Sequence, residues 1–410
     1  MNEVTTLNSI QMIKNLQFSE KETPNFLSEK ETEPARHYHR SLPGYEPTPL
    51  AELKELSKKL GVASILVKDE SKRFGLNAFK GLGGTYALCR VICDELGLDP
   101  ATVTLEQLRE PENLEKIQKM VFITTTDGNH GKGVSWAAGL LGCEAHVYMP
   151  KSSVEVRAQA IRDAGTAKVT ITDLGYDDCV RFTANMAEEK GWFLVQDTSW
   201  PGYDQIPSWI VQGYSTMVFE AIEQLEAKGY KQPTHVFLQA GVGAMAGGVL
   251  GTLVCKYGDE LPVVSIVEPD EVACIFESAR QADGAPHAAT GSEVTIMAGL
   301  NCAEPCQITW PILRDHATYY FACPDYVSAR GMRVLAAPMG DDPKVISGES
   351  GAVTLGLATM LLEFDDYKPF KDALGLDENS VILVFNTEGD TDPEGYRNVV
   401  YNGHYPYETK

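Results

Sequence analysis

The strongest constraint on the fold of this chain is an alternation. From residue 121 to 195, short apolar runs take turns with segments of helical spacing: runs at 121 to 125, 145 to 149, 168 to 171 and 193 to 195, helical patterns at 132 to 142, 154 to 164 and 178 to 190. Runs this short read as strands, and strands joined by helices pair in parallel, with the helices covering the faces of the sheet. A second array follows a Pro/Gly/Trp-rich joint at 200 to 209. It holds a long helix through Leu225, a run at 235 to 239, a glycine loop and helix, a run at 263 to 267, helical stretches at 328 to 335 and 351 to 362, and a last run at 381 to 385. The expected fold class is α/β, two doubly wound open sheets in two domains, with a site in the cleft between them beyond the strand C-termini. Residues 1 to 60 read as polar, extended segments and a Pro-bounded helix through Lys59, residues 99 to 118 as a charged, solvated insertion, and residues 281 to 301 as a long loop at the site.

Composition removes several classes of function. A net charge of −22 argues against a nucleic-acid or anionic-membrane surface. The nine cysteines are scattered through apolar or helical stretches, as reduced core thiols are, so a cytoplasmic location is expected. Cys302 and Cys306 form a close pair with no second Cys/His pair nearby, and no metal site is expected. No run approaches 18 apolar residues, and residues 1 to 27 lack a basic stretch followed by an apolar core; neither a membrane span nor export is expected.

Four stretches can carry chemistry. Lys80 lies among small residues (77 to 85) where a strand and loop hand over to a helix. A cation at a helix N-terminus opposes the helix dipole, which lowers its pKa and favours the nucleophilic neutral amine. On this window alone, a solvated surface lysine fits equally well. The loop Gln239-Ala240-Gly241-Val242-Gly243-Ala244-Met245-Ala246 follows a strand and opens a helix, and its backbone N–H groups can hold a phosphate. Gly241-x-Gly243-x-x-Ala246 with the later Glu268 also fits a dinucleotide fingerprint, so a small phosphate cofactor and NAD both stay open here. Thr124 to Gly131 offers hydroxyls, an amide and a helix N-terminus for a carboxylate; in it Asp127 is out of place unless it meets a cation or a transferable proton, or caps the helix. His130 reads as a buried, satisfied histidine. Asp197 ends the strand before the joint, facing the cleft, or serves as a turn residue there, and the last strand ends in Asn386, Thr387, Glu388 and Asp390.

Together these stretches resemble the tryptophan synthase β-type, or fold type II, pyridoxal phosphate enzymes. Phe79-Lys80 is similar to that superfamily's Schiff-base lysine motif, Asp127 to Gly131 to its Ser-x-Gly-Asn-His substrate loop, and Gly241 to Met245 to its phosphate loop; the likeness runs from about residue 40 to the C-terminus. Asp127, where the dehydratases carry serine, with Asn77 to Lys80, Gln196 to Thr198 and Asn386 to Asp392, resembles the diaminopropionate ammonia-lyase family more closely. The resemblance implies pyridoxal 5'-phosphate held by Lys80, Asn129, Gly241, Val242, Gly243, Ala244 and Met245, with Asn386 or Thr387 at the pyridine nitrogen. It implies an amino-acid substrate bound by Thr125, Thr126, Asp127, Gly128, His130 and Asp197, and catalysis by Lys80, Asp127 and Asp197. The implied reaction is α,β-elimination from both enantiomers of 2,3-diaminopropionate, giving pyruvate and two ammonia with water. A homodimer is implied as well, with residues 1–85 and 200–410 as a discontinuous cofactor-binding domain and 86–199 as a small mobile domain carrying the substrate loop. Whether Glu349 and Ser350 touch the ring is open. A serine/threonine dehydratase-type activity, an NAD-dependent oxidoreductase and a non-catalytic amino-acid sensor are the alternatives.

Overall fold

The computed structural model describes residues 1–16, 21–292 and 294–407. A hairpin of β1 (Thr5–Leu7) and β2 (Ile10–Lys14) opens the chain, followed by α1 (Glu29–Arg40), β3 (Leu50–Glu52), α2 (Lys54–Leu60) and β4 (Ser64–Asp69). Next come α3 (Gly81–Leu96), α4 (Leu105–Leu108), α5 (Pro111–Ile117), β5 (Val121–Thr125), α6 (Asn129–Leu141), β6 (Glu144–Met149), α7 (Glu155–Ala164), β7 (Ala167–Ile171), α8 (Tyr176–Lys190) and β8 (Phe193–Leu194). The rest holds α9 (Gln205–Ala227), β9 (His235–Gln239), α10 (Ala244–Tyr257), β10 (Val263–Pro269), α11 (Cys274–Gln281), α12 (Trp310–His316), β11 (Tyr319–Cys323), α13 (Asp325–Ala336), α14 (Glu349–Glu363), α15 (Lys368–Leu374), β12 (Val381–Asn386) and α16 (Pro393–Val400).

The expected pair of α/β sheets is present. The larger has the order β1-β2-β11-β10-β9-β12-β4-β3, with the five central strands parallel and antiparallel strands at both edges. Its strands β4, β9 and β12 are buried at every residue, which is why they read as continuous apolar runs rather than alternations. The smaller sheet, β7-β6-β5-β8, is all parallel, and its strand β6 alternates between buried and more exposed positions. No helix among the described residues is long and apolar enough to cross a membrane.

Three differences from the sequence reading have physical causes. Helix α1 is not apparent in the sequence because part of its buried face is polar: Thr32, Arg36 and His39 are all buried beside Ala35 and Tyr38. Residues 99 to 118 are not a purely solvated insertion. Val103, Leu105, Leu108 and Ile117 are buried in the core, and Arg109 donates to the Leu140 carbonyl at the end of α6. Strand β11 lies in a stretch, 302 to 327, for which the sequence reading named no element. Within the loop expected at 281 to 301, position 293 lies outside the described residues.

The segment leading to Lys80 is fixed from both sides. Arg73, fully buried, donates to Glu70 and Glu220, and Lys68 pairs with Glu220 at 2.8 Å, which ties the end of β4 to α9. Beyond it, Asn77 sits at φ +60, its carbonyl accepting from Gly389 N at 3.0 Å, and Phe79 N donates to the Thr387 carbonyl at 3.1 Å. Lys80 is thereby strapped to the end of β12.

Candidate active site

A cavity between the sheets is lined by Phe79, Lys80, Asp127, Asn129, Asp197 and Tyr214, by Gly241 to Met245, and by Thr387 and Glu388. Lys80 immediately precedes α3, as expected, but its pKa is raised rather than lowered. Burial alone would lower it; the charges of Asp197 and Asp127 outweigh burial, and Nζ donates to Asp197 Oδ2 at 2.7 Å. Burial pushes Asp197 up, but His130 and Lys80 more than reverse this, and its carboxyl falls below its usual value. Burial lowers His130 as well, and the Lys80 amine is the nearer basic group to Asp197, at 2.7 Å against 3.8 Å for His130 Nδ1.

The substrate loop divides into lining and supporting residues. Asp127 and Asn129 face the cavity. Thr126 Oγ1 accepts from Gly128 N and Gly131 N at 2.9 and 3.0 Å, and Thr125 Oγ1 bonds to the Cys179 carbonyl at 3.0 Å. Those hydroxyls shape the loop from behind, and Gly128, at φ +157, allows the turn into α6. His130 is fully buried, with Nε2 2.7 Å from the Val195 carbonyl and Nδ1 3.8 Å from Asp197 Oδ2. It backs Asp197 from outside the lining. Gln196 Oε1 accepts from Thr125 N at 2.9 Å and so locks the Asp127 loop to the Asp197 strand end.

The glycine loop has the shape of an anion cradle. A Cβ on Gly241 would come within 3.0 Å of Leu300 Cα, and Gly243 takes φ +89 as the N-cap of α10. The first-turn N–H groups that follow have no intrahelical acceptor and line the same cavity as Lys80. At the end of β12 the two candidates separate. Asn386 donates to Asp69 Oδ1 at 2.8 Å and the Ile346 carbonyl at 3.0 Å and is not part of the cavity lining. Thr387 lines the cavity, and its Oγ1 accepts from Gln239 Nε2 at 2.8 Å, which leaves its own proton free to donate. Glu268 is spent otherwise. Its oxygens accept from Ile275 N and Phe276 N at 2.8 and 2.6 Å, so this carboxylate is not free for a ribose, and the dinucleotide reading loses its acid.

Sequence reasoning missed Tyr176, Tyr214 and Cys302 in the lining. Tyr214 reads as a core aromatic of α9 and is brought in by its contact with Phe79, ring centroids 4.8 Å apart. Nothing in its local sequence marks it.

A lysine amine, an amide cradle formed by a glycine turn, and a free hydroxyl across the same cavity fit a phosphorylated aldehyde with a basic ring nitrogen, and thus the pyridoxal-phosphate enzymes of fold type II. Residues 42–372 match the family model of pyridoxal-phosphate dependent enzymes, to which the chain belongs. Within that class it belongs with the diaminopropionate ammonia-lyases and is a carbon–nitrogen lyase. It is 50% identical over 367 residues to the diaminopropionate ammonia-lyase of Salmonella typhimurium, covering 89% of this chain and 91% of that protein. The holo diaminopropionate ammonia lyase from Escherichia coli is 47% identical and superposes with a TM-score of 0.92 over 99% of this chain and 100% of that one. The Escherichia coli enzyme in complex with D-serine gives 0.90 at 47% identity, over 98% of this chain and 99% of that one.

Proposed function

We propose that this chain eliminates ammonia from both enantiomers of 2,3-diaminopropionate and, with water, yields pyruvate and two ammonia. The observation that carries this reading is the pair of carboxylates, Asp127 and Asp197, which enter one cavity from separate loops around a single lysine amine. A pocket for an apolar β-substituent needs no carboxylate. A substrate with a second ammonium gains from two.

Lys80 would hold the cofactor, the N–H groups of residues 241 to 245 its phosphate, and the Thr387 hydroxyl its ring nitrogen, with Asn129 at the ring edge. Bound there, the cofactor supplies an electron sink for bonds at the substrate Cα. Asp197, 2.7 Å from Lys80, shares the lysine's side of the cavity. Asp127 lies toward Gly299, its Oδ2 3.8 Å from where a Cβ on that glycine would stand. Two bases on different sides let either enantiomer present its Cα proton to one of them, Lys80 or Asp127. Asp197, which accepts from the Lys80 amine at 2.7 Å, would relay the proton that Lys80 carries to the departing β-amine.

The wider assignments follow the family. Residues 1–85 and 200–410 form the cofactor-binding unit, 86–199 the smaller unit that moves the substrate loop, and the enzyme works as a homodimer in the cytoplasm. The free state of all nine cysteines agrees with that location.

Pyruvate release from each enantiomer by wild type, Asp127→Asn and Asp197→Asn tests the reading. Asp127→Asn is expected to lose roughly 100-fold or more on one enantiomer and less than about tenfold on the other, and Asp197→Asn to slow both. Equal losses on both enantiomers in Asp127→Asn would refute the two-base arrangement. Undiminished diaminopropionate turnover by Asp127→Ser would favour the serine/threonine dehydratase-type reading.

A further inference from the structure

A second cavity, of about 480 Å³, lies outside the first and shares Asp127 and Tyr176 with it. Its wall gathers Arg157 from α7, Glu349 from the first turn of α14 and Asp392 from the start of α16. Glu349 is 4% exposed, yet its carboxylate makes no side-chain hydrogen bond or ion pair among the described residues. Glu349 Oε1 and Asp392 Oδ2 converge, lying 2.8 and 2.7 Å from the point a Cβ on Gly395 would occupy. Asp392 uses Oδ1 to accept from Gly395 N at 3.1 Å. Two carboxylates this close are mutually repulsive. Burial first, then Glu388, pushes Glu349 up to about 7.

Arg157 supplies the opposite charge. Its Cδ packs 3.4 Å from the Cβ position of Gly128, next to Asp127, and its guanidinium has no hydrogen-bond or ion-pair partner among the described residues. Asp127, Glu388, Glu349 and Asp392 surround it at longer range and, against the effect of burial, raise its pKa. Arg157 and Lys151 thus face Glu349 and the Oδ2 of Asp392 across a space the size of a small molecule. Their charges complement a molecule with one carboxylate and two amines.

We propose that this vestibule is a second binding site for diamino acids, the carboxylate on Arg157 and the amines on Glu349 and Asp392, where the substrate is received before it passes Asp127 and Tyr176 to reach Lys80. The inference rests on the diaminopropionate reading, and one protein separates the two. Holoenzyme reduced with borohydride has the cofactor fixed to Lys80 and cannot turn over, so calorimetric titration with 2,3-diaminopropionate reports the vestibule. About one equivalent is expected to bind, about tenfold or more weakly in Arg157→Gln and in Glu349→Gln, and alanine, without the second amine, about tenfold or more weakly than diaminopropionate. In unreduced enzyme the same substitutions should raise KM and leave kcat within about twofold. Absence of binding to reduced wild type, or unchanged affinity in both variants, overturns the vestibule site even where pyruvate is formed. Failure of unreduced wild type to release pyruvate from diaminopropionate overturns the functional reading itself.

Discussion

Lys80 gains its character from neighbours that are distant in sequence. Position at a helix start suggests a lowered pKa, but Asp197, 117 residues away, sits 2.7 Å from its amine and raises it. Imine formation needs the neutral amine, so attachment of pyridoxal phosphate to cofactor-free protein should quicken as pH rises. Asp197→Asn removes the strongest opposing charge and should shift that rate profile to lower pH, measured by the growth of the cofactor's absorbance between pH 6 and 10. A profile unmoved by the substitution would contradict the ion pair. His39 shows the reverse effect. It is fully buried, with Nε2 donating to the Leu82 carbonyl at 2.9 Å and Nδ1 accepting from Thr216 Oγ1 at 2.8 Å, and burial, with Arg73 adding to it, lowers its pKa to about 3. Its folded pKa lies below the unfolded value, so its contribution to stability is complete above about pH 6.5 and is lost as pH falls from there toward 3. From pH 7 to pH 5 this one group should cost wild type about 2 kcal/mol that His39→Gln does not lose, measured by urea unfolding at the two pH values. Asp127 and Asp197 could be found in the sequence because each stands in a short polar motif at a strand end, and Lys80 because it is a lone cation among small residues at a helix start. Tyr214 and Cys302 could not, because only tertiary packing brings them to the cavity.

At the scale of elements, the site depends on two helices that meet backbone to backbone. A Cβ on Gly133 of α6 would stand 3.0 Å from Gly81 Cα and from the Lys80 carbonyl, and one on Gly84 of α3 would stand 3.2 Å from Gly133 C. The neighbouring atoms are main chain and cannot rotate away. Gly133→Ala should therefore separate the lysine helix from the helix that follows Asp127, costing roughly 1–3 kcal/mol of stability. It should also lower kcat by about tenfold or more, since misplacement by about 1 Å can cost 100-fold. Calorimetric unfolding and pyruvate release measure the two effects, and a stable variant with full kcat would refute the dependence. The strands of the first array, and β9, β10 and β12 of the second, were legible because their apolar runs are bounded by turns, whereas β11 was not. Helix α1 was obscured by its buried Thr32, Arg36 and His39; the last two find their partners on α9, Arg36 with Glu223 and His39 with Thr216. The crossing of α3 and α6 was also hidden, since glycines in a helix can signal either flexibility or close approach, and only the facing helix decides between them.

Over the whole molecule, neither sheet holds a complete site. The larger presents the amide cradle at the end of β9 and Thr387 at the end of β12, while the smaller presents Asp127 and Asn129 beyond β5 and Asp197 beyond β8, with Lys80 on the loop between them. The sequence pointed to this division, because the change of array at the 200 to 209 joint separates the Asp197 strand end from the glycine loop. The loop at 281 to 301 was legible as part of the site, and Gly299 and Leu300 line the cavity, but its close approach to the cradle, Leu300 against Gly241, was not, since it exists only in the fold. Cofactor and substrate should therefore stabilise different parts of the chain. Pyridoxal phosphate at 100 times its dissociation constant should add about 2.7 kcal/mol to the unfolding free energy. In hydrogen exchange it should slow the amides of 241 to 246 and 387 to 389 more than those of 144 to 171. Diaminopropionate added to the borohydride-reduced holoenzyme should then slow 125 to 131 and 155 to 164, where the substrate loop and Arg157 lie. If the smaller sheet is a unit that moves onto a fixed cofactor site, the two patterns will separate in this order; uniform slowing at the first addition would mean that the two sheets respond as one body.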